Sequence, residues 1–440
     1  MLQSVLKNPG DHRTLFAIAL PMIISNIAAP LLGLVDTAII GHLPDAIYLS
    51  AVAIGAMAIN FVYLLAVFLR MSTTGLVAQS FGADDIHSQR TFAVHGLLFA
   101  VVLGVVMIAL QPFILWSLWQ LVSASDELQL LATDYIRIRL WGAPAALSML
   151  VILGVLLGRQ QARSAMVLVI LSNLINVILD VILIMGLGMN VAGAAWASVS
   201  AEWVTALTGL VFLHRGLALQ LRHFKQVSLK VCKDLLTLNQ NIFIRSLVLQ
   251  LCMAVMTAYA SYYGATTVAA NAVLMQFLML ISLGLDGVAY AAEALVGQAK
   301  GQRNDARLKH WFRLSLFWSM LFAVSYSLLF LFTGSAIIRL ITNIPDVIRV
   351  AESYLPWLIV MPLLAHWSYL FDGIYIGLSQ SKAMRDSMLL AALFGFVPAW
   401  LLTLSWQNHG LWFALSLFML SRGVWQWLLL QRRQMLTLTS

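Results

Sequence analysis

Charged side chains are scarce in this chain: they form 10% of its 440 residues, whereas 61% of the residues are hydrophobic. A soluble domain carries about 25% charged residues, so this composition lacks the polar surface that a water-soluble globule needs. Cysteine is nearly absent too, since Cys232 and Cys252 are the only two, which excludes a disulfide framework and offers no metal-ligand spacing. The sequence therefore predicts a protein that uses lipid as its solvent.

The motifs of the common enzyme classes are also missing. The chain holds no glycine-rich loop ending in Gly-Lys, no HExxH and no GxSxG. We therefore expect a protein that is not an enzyme and that needs no cofactor beyond H⁺ or Na⁺ as a coupling ion. Without an ATP site, transport would be driven by an ion gradient, and moving one charge across 100 mV is worth about 2.3 kcal/mol.

Twelve apolar runs reach the length of about 20 residues that a helix needs to cross a bilayer. Because lipid offers no water to the backbone, we expect each run to be a helix. The predicted spans, numbered 1 to 12, are residues 14–41, 50–70, 91–115, 131–157, 164–187, 191–214, 235–262, 268–292, 311–333, 350–378, 384–406 and 410–430.

Lysine and arginine are distributed unevenly between the segments that join these spans. With a cytoplasmic N-terminus, nineteen of the 26 fall on the cytoplasmic side and three lie in or at spans. Since positive charge is retained on the cytoplasmic side, we expect a multi-pass protein of the cytoplasmic (inner) membrane with both termini inside. Orientation then explains the net charge of +8, and no nucleic-acid partner is expected. The four on the opposite side are Arg137, Arg139, Arg339 and Arg349.

The chain repeats itself at a constant offset of 219 residues. LVAQSFGADD at 76–85 matches LVGQAKGQRN at 295–304, and the G-x-x-x-G-x-x-Q segment from Gly154 matches the one from Gly373. Each copy has six spans, an even number, so the copies are parallel repeats about an axis along the membrane normal. We predict an all-α membrane protein with twelve transmembrane helices in two pseudo-symmetric six-helix lobes. The lobes are residues 1–214 and 235–440, joined by a basic cytoplasmic linker at 215–234.

A carboxylate stands in the first span. Asp36 is the only charged residue between Arg13 and Asp45. An acid at membrane depth costs roughly 2.5–3.5 kcal/mol to insert, so it is a functional-site hypothesis by default.

Spans 5 and 6 supply partners for Asp36. Asn173, Asn176 and Asp180 follow one another at spacings of three and four, which places them on one helix face. Span 6 brings Ser198 and then Glu202 past the same depth. Burial and a second nearby carboxylate both favour the protonated form of an acid, so this cluster predicts a proton site whose acids titrate as a pair. Two alternatives stay open, because the same oxygens suit Na⁺ and polar groups also hold helices together without transport.

Span 1 also contains Pro21, Pro30 and Gly33. Proline removes one helix hydrogen bond and kinks the helix. We expect span 1 to bend when Asp36 changes its charge, with a static kink as the alternative.

The residues predicted to line a substrate cavity are Asp372, Glu202, Met57 and Tyr375. Carboxylates attract cations, and methionine and aromatic side chains form adaptable walls that suit organic cations. Arg245 is expected to pair with Asp286 or Glu293. The intramembrane charges are mostly acidic, which favours cationic cargo. They are Asp36, Asp180, Glu202, Asp286, Glu293 and Asp372 against Arg70 and Arg245.

Several of these segments resemble the multidrug and toxic compound extrusion (MATE) transporters. The resemblance rests on ALPMIISNIAAPLLGLVDTAIIGHL, in which Pro21 precedes Asp36 by fifteen residues, on the N-x-x-N-x-x-x-D run of span 5, and on the G-x-x-x-G-x-x-Q segments. It covers nearly the whole chain and is strongest to the branch named for DNA-damage-inducible protein F.

The resemblance implies two six-helix lobes, a central cleft, and antiport of amphipathic compounds against H⁺ or Na⁺. In proton-coupled members the matching positions are Asp36, Asn176 and Asp180, with Ser198 at the place of a helix 6 hydroxyl. Sodium-coupled members use a carboxylate in helix 7, and span 7 has none, which favours protons.

We therefore expect a monomeric antiporter in the lipid bilayer that exports lipophilic, cationic small molecules in exchange for H⁺. The alternative is a flippase for a lipid-linked precursor, which would show a more cationic central cavity. A membrane-embedded enzyme or a channel is disfavoured, because no nucleophile–base or metal constellation is found.

Overall fold

The computed structural model describes residues 8–41, 43, 45–220, 223–224 and 228–436. In these residues the regular structure is helical throughout. In chain order the α-helices are α1 Pro9–Gly41, α2 Ala46–Leu65, α3 Phe68–Gly82, α4 Ile86–Ala109, α5 Gln111–Leu121, α6 Asp126–Leu140, α7 Ala143–Gly158, α8 Ala162–Asp180, α9 Asn190–Leu217, α10 Leu229–Ala260, α11 Ala265–Gly301, α12 Asp305–Ile341, α13 Pro345–Gly377, α14 Ser381–Ala391, α15 Val397–Leu402 and α16 Asn408–Arg432.

The predicted fold class is confirmed. In the described part of the chain, eleven helical segments are long and apolar enough to cross a membrane, and twelve are reached when α6 and α7 count as one bent span. Helices α11 and α12 each have 37 residues, or about 55 Å at 1.5 Å per residue. This exceeds an apolar layer of about 30 Å, so these two helices extend beyond the predicted spans.

Span 4, predicted as a single helix over 131–157, is broken. Helices α6 and α7 meet at Trp141–Gly142 with a bend of 51°. Pro144 cannot donate the hydrogen bond that would continue α6, and a Cβ on Gly142 would overlap the Glu202 carboxylate of α9. The Trp141 carbonyl accepts a hydrogen bond from Trp203 Nε1 at 3.1 Å. Two adjacent residues of α9 therefore hold the bend.

The chain divides into two compact units. The first unit is Ile24–Leu236, and the second unit is Met1–Ile23 with Thr237–Ser440. The start of α1 belongs to the second unit, where Trp318 Nε1 donates to His12 Nδ1 at 2.9 Å. The two long helices α1 and α10 thus each carry the chain from one unit to the other.

The internal repeat extends to the turns of the backbone. Asp84, after α3, has φ 54°, and Arg303, 219 residues later and after α11, has φ 53°. The next residues, Asp85 and Asn304, each cap the following helix by accepting from the amide three residues further on, at 3.0 Å in both copies. The same turn chemistry therefore orients α4 and α12.

Close helix crossings repeat as well. A Cβ on Gly158 of α7 would lie 2.8 Å from the Thr74 carbonyl oxygen of α3. In the second unit a Cβ on Gly377 of α13 would meet the carbonyl oxygen of Glu293 in α11, and both positions carry the 219-residue offset. Glycine permits these backbones to touch, so the shared glycines set the spacing of the helices that hold the polar residues. The same crossing is made one turn earlier by Gly154 and Gly373.

The connection between α9 and α10 is shorter than the predicted linker, because α9 ends at Leu217 and α10 begins at Leu229. Arg90 Nε donates to the Leu217 carbonyl at 2.6 Å, and the Ser228 amide donates to His95 Nε2 at 3.0 Å. Helix α4 therefore holds both ends of the connection. Outside the described residues lie Lys7, Arg222 and Lys225, three of the basic residues used to predict orientation.

The glycine crossings predict the effect of one added methyl group. Gly158→Ala and Gly377→Ala should each lower the stability of the protein by about 1–3 kcal/mol, since overpacking must push two helix backbones apart. The measurement is thermal unfolding in detergent. Gly216→Ala is the matched control, because its Cβ would meet nothing nearer than 3.9 Å and alanine favours a helix. Equal unfolding temperatures for the three variants would contradict the argument.

Candidate functional site

An amide group joins two carboxylates in the first unit. One end of the Asn176 side chain lies 3.2 Å from Asp36 Oδ1 and 3.1 Å from Asp180 Oδ2, and the other end lies 3.1 Å from Ser198 Oγ. An amide with its nitrogen towards the acids matches donors with acceptors in all these contacts. The nitrogen then donates to both carboxyls, and the oxygen accepts from Ser198. The structure thus brings together four of the five residues predicted for ion coupling.

The carboxyl groups of Asp36 and Asp180 thus meet at the same end of the Asn176 amide. A hydrogen bond between them would require a proton, because two ionised carboxylates can only accept. Asp180 Oδ1 is buried without a hydrogen-bond partner among the described residues, which would be costly for an ionised group. The arrangement can therefore hold one shared proton and can release it when the surroundings change.

The backbone changes its winding directly after Asp180. Helix α8 ends there, and Val181–Gly186 form a π-helical turn. Turns of this kind are rare and are found often at functional sites. Because the carboxyl stands at the junction of two windings, a change of winding would turn it relative to Asn176.

Asn173 is the fifth predicted member, and the structure leaves it outside the hydrogen-bonded group. It lies half-buried one turn before Asn176, and its Nδ2 has no partner among the described residues. The helical spacing correctly predicted that Asn173 shares a face of α8 with Asn176. Asn173 is nevertheless left out, because the side chain of Asn176 finds its other partners on α1 and α9.

A buried ion pair lies beside the carboxyl pair, and the sequence prediction missed it. Arg139 Nη1 lies 2.8 Å from Glu202 Oε1, and the guanidinium carbon lies 5.8 Å from the centre of the Tyr63 ring. Arg139 was counted only among the basic residues of the side opposite to the cytoplasm, and its burial was not predicted. It is a buried residue near the end of α6, and the neighbouring Arg137 is the exposed one.

Glu202 was predicted to line a substrate cavity, and here it is paired with Arg139 instead. Its carboxylate fills the space over Gly142, where a side chain would collide with it. Burial of the charge is compensated by the guanidinium. The negative charge of Glu202 is therefore already balanced within the first unit.

The second unit has its own buried ionic cluster around Asp372. Arg422 Nη2 lies 2.8 Å from Asp372 Oδ2, Gln426 Nε2 donates to Asp372 Oδ1 at 2.7 Å, and Arg245 forms a further ion pair with the same carboxylate. Arg245 was expected beside Asp286 or Glu293, so its pairing with Asp372 is new. Two guanidinium groups and one carboxylate carry a net positive charge together, which differs from the predicted cation-binding role of Asp372.

Of the other two predicted cavity residues, Tyr375 is buried and Met57 is exposed. Tyr375 is fully buried in the second unit, and its hydroxyl donates to the Gln426 carbonyl at 2.6 Å. It is a packing residue of α13 rather than a cavity wall. Met57 in α2 is 57% exposed, so its side chain is available to lipid or to a substrate.

The balance of buried charge is less acidic than the sequence indicated. Arg139 and Arg422 join Arg70 and Arg245 as buried arginines. The carboxylates of Glu202 and Asp372 each contact such an arginine. The carboxyls of Asp36 and Asp180 contact the amide of Asn176 instead.

Helix α1 runs without a break in the helix assignment from Pro9 to Gly41. Pro21 and Pro30 lie inside it, and the Thr37 hydroxyl donates to the Gly33 carbonyl at 2.7 Å. Neither proline can donate a helix hydrogen bond. These positions are consistent with a weak region of the helix before Asp36, and the predicted bending motion stays a prediction.

Comparison with known proteins agrees with this architecture. The MatE family profile matches residues 21–182 and 242–401. The chain is 43% identical over 421 residues to DNA damage-inducible protein F of Escherichia coli, covering 94% of this chain and 91% of the relative. It is 25% identical over 358 residues to the probable multidrug resistance protein NorM of Thermotoga maritima, covering 78% and 75%.

A solved structure, a MATE transporter in the bent conformation, has the same fold. The TM-score is 0.86 with 22% identity, and the match covers 98% of this chain and 96% of that one. Most of the chain lies within the matched family regions, and the chain therefore belongs to the MatE family of multidrug and toxic compound extrusion transporters.

Proposed function

We propose that this transporter is a secondary active antiporter that exports lipophilic, cationic compounds in exchange for H⁺. The observation that carries the proposal is the meeting of the Asp36 and Asp180 carboxyls at one end of the Asn176 amide, at 3.2 and 3.1 Å. A shared proton satisfies this geometry, and its loss would place two negative charges side by side. Protonation and substrate binding would then exclude each other through charge.

The proposed cycle assigns one role to each residue. With the proton lost, Asp36 and Asp180 repel each other and attract a cationic substrate, either directly or through the field in the cavity. With the proton bound, the pair closes on Asn176 and the attraction ends. Ser198 keeps the amide of Asn176 turned towards the acids. The prolines of α1 would let the helix segment that carries Asp36 follow this change.

The membrane, its orientation and the assembly state belong to the same proposal. We infer an inner-membrane protein with both termini in the cytoplasm from the lysine and arginine distribution. A monomer would suffice, because the carboxyl pair is complete within one chain. A Na⁺-coupled cycle would use the same oxygens, and span 7 carries no acid that would complete a second site.

A flippase for a lipid-linked anionic precursor is the second candidate. The cluster of Arg245 and Arg422 around Asp372 favours it, because that region is more basic than a purely cation-selective transporter requires. Efflux of cationic dyes distinguishes the two functions: a flippase should move a fluorescent lipid-linked anion across the bilayer and leave the dyes in place.

The coupling ion can be identified in inverted membrane vesicles. Collapse of the pH gradient should abolish uptake of cationic dyes, whereas removal of the Na⁺ gradient should leave the rate unchanged. The reason is that two carboxyls held at one amide can share a proton between them. Uptake that follows the Na⁺ gradient alone would contradict proton coupling.

Substitution of the acids tests the assignment of the site. Asp36→Asn and Asp180→Asn should each reduce proton-driven dye transport in reconstituted vesicles to the background rate, since a neutral amide cannot exchange a proton. Asp134→Asn is the matched control, an exposed aspartate of α6 whose side chain is 63% accessible, and it should transport normally. Full proton-driven transport by Asp36→Asn would show that this residue does not couple the ion.

A further inference from the structure

We propose that Arg139 is a positioning residue of the ion site. Its guanidinium stays on Glu202 while Asp36 is neutral, and it turns to Asp36 when that carboxyl loses its proton. The inference rests on the proposed proton coupling and adds the residue that sets how readily the proton is released.

The surroundings of Arg139 leave it able to serve a second acceptor. The side chain is 10% exposed, against 58% for Arg137 two residues earlier. Glu202 accepts from one of its N–H groups, and the guanidinium lies against the ring of Tyr63. A guanidinium has five N–H donors, so donors remain for a carboxylate that becomes ionised nearby.

The ion pair and the carboxyl pair are adjacent parts of one polar network. Glu202 follows Ser198 by four residues on α9, which places both on the same helix face. Ser198 contacts Asn176, and Asn176 contacts Asp36. Arg139 acts on Asp36 as an electrostatic neighbour. The carboxylate that holds the cation is therefore one helical turn along α9 from the hydroxyl that contacts Asn176.

Glu202 holds Arg139 from one side only. Its Oε1 accepts the guanidinium at 2.8 Å, whereas its buried Oε2 has no hydrogen-bond partner among the described residues. A pair joined at a single oxygen is less firmly fixed than a bidentate one. The carboxylate itself cannot follow the guanidinium far, because it is seated over Gly142 at the bend between α6 and α7.

The elements packed against α6 supply few other charges that could take this role. Helix α2 contributes Tyr63, α9 contributes Glu202, and α5 carries no titratable side chain. The titratable groups of α4 are turned elsewhere: Arg90 binds the Leu217 carbonyl, and His95 accepts from Ser228. On α6 itself Asp134 and Arg137 form an exposed ion pair. His87 lies in the first turn of α4, and His214 lies in the last turn of α9. The other charged residues of these two elements, α6 and α9, are Asp126, Glu127 and Arg215.

The test is the pH dependence of proton-driven dye efflux by the full-length protein in proteoliposomes. The double variant Arg139→Gln/Glu202→Gln lacks both charges of the ion pair. The midpoint of its pH profile should move about one pH unit to higher pH, because ionised Asp36 loses its cation. Glu202→Gln alone frees Arg139 to bind Asp36, so the midpoint should move to lower pH. Arg139→Lys keeps the charge and should lie close to the wild type.

Arg137→Gln is the matched control on the same helix and should leave the profile unchanged. A purely structural ion pair would lower the rate in the double variant and in Glu202→Gln without opposite shifts. Midpoints that stay in place or move in one direction would therefore overturn the role of Arg139. Thermal unfolding in detergent shows whether the double variant folds. If it does not, the single variant Glu202→Gln is the test. A pH midpoint of Glu202→Gln that equals or exceeds that of the wild type would overturn the role of Arg139. A wild-type profile without any pH dependence would instead refute proton coupling itself.

Discussion

The hydrogen bonds of one amide group organise the first unit. Asn176 reaches Asp36 on α1, Asp180 on its own helix and Ser198 on α9, so three helices meet at a single side chain. An amide can donate to two carboxyls only while its oxygen is satisfied elsewhere, and Ser198 does this. A hydrogen bond between the two acids that meet at this amide would require a proton. A change of protonation therefore disturbs contacts between three helices at once, which is what an ion-coupled transporter requires.

Much of this site follows from the sequence alone. The spacing of Asn176 and Asp180 predicts one helix face, and the position of Asp36 in its span predicts a common depth; both are consequences of regular helices. Arg139 escaped prediction because it stands beside the exposed Arg137, and counting charges in connections cannot separate two neighbours on one helix. Its burial depends on a bend that Gly142, Pro144 and the side chains of α9 create together. Such a break is a tertiary feature, and periodicity does not reveal it.

The two units share a scaffold but differ in their polar contents. The glycine crossings, the capped turns and the positive φ angles recur at one offset, because close backbone contacts tolerate few residue types. Side chains that do not touch these crossings are free to diverge. The position equivalent to Asp36 is Val255, and that equivalent to Asp180 is Ala399. The second unit places two arginines on Asp372 instead, a carboxylate neutralised by the protein itself rather than by an exchangeable ion.

This contrast separates two ways of keeping a carboxylate in an apolar surrounding. A fixed guanidinium, as at Asp372, balances the charge permanently and costs least when nothing has to change. A proton shared with a second acid, as proposed for Asp36, balances the charge only until the proton leaves. A transporter needs the second arrangement at its coupling site, because only a removable counter-charge can differ between two states of a cycle. Arg139 stands between these cases: it is a permanent cation, yet it is held by a single oxygen of Glu202. Under the proposed role of Arg139, the negative charge that appears on Asp36 when the proton leaves would have a cation within the same unit.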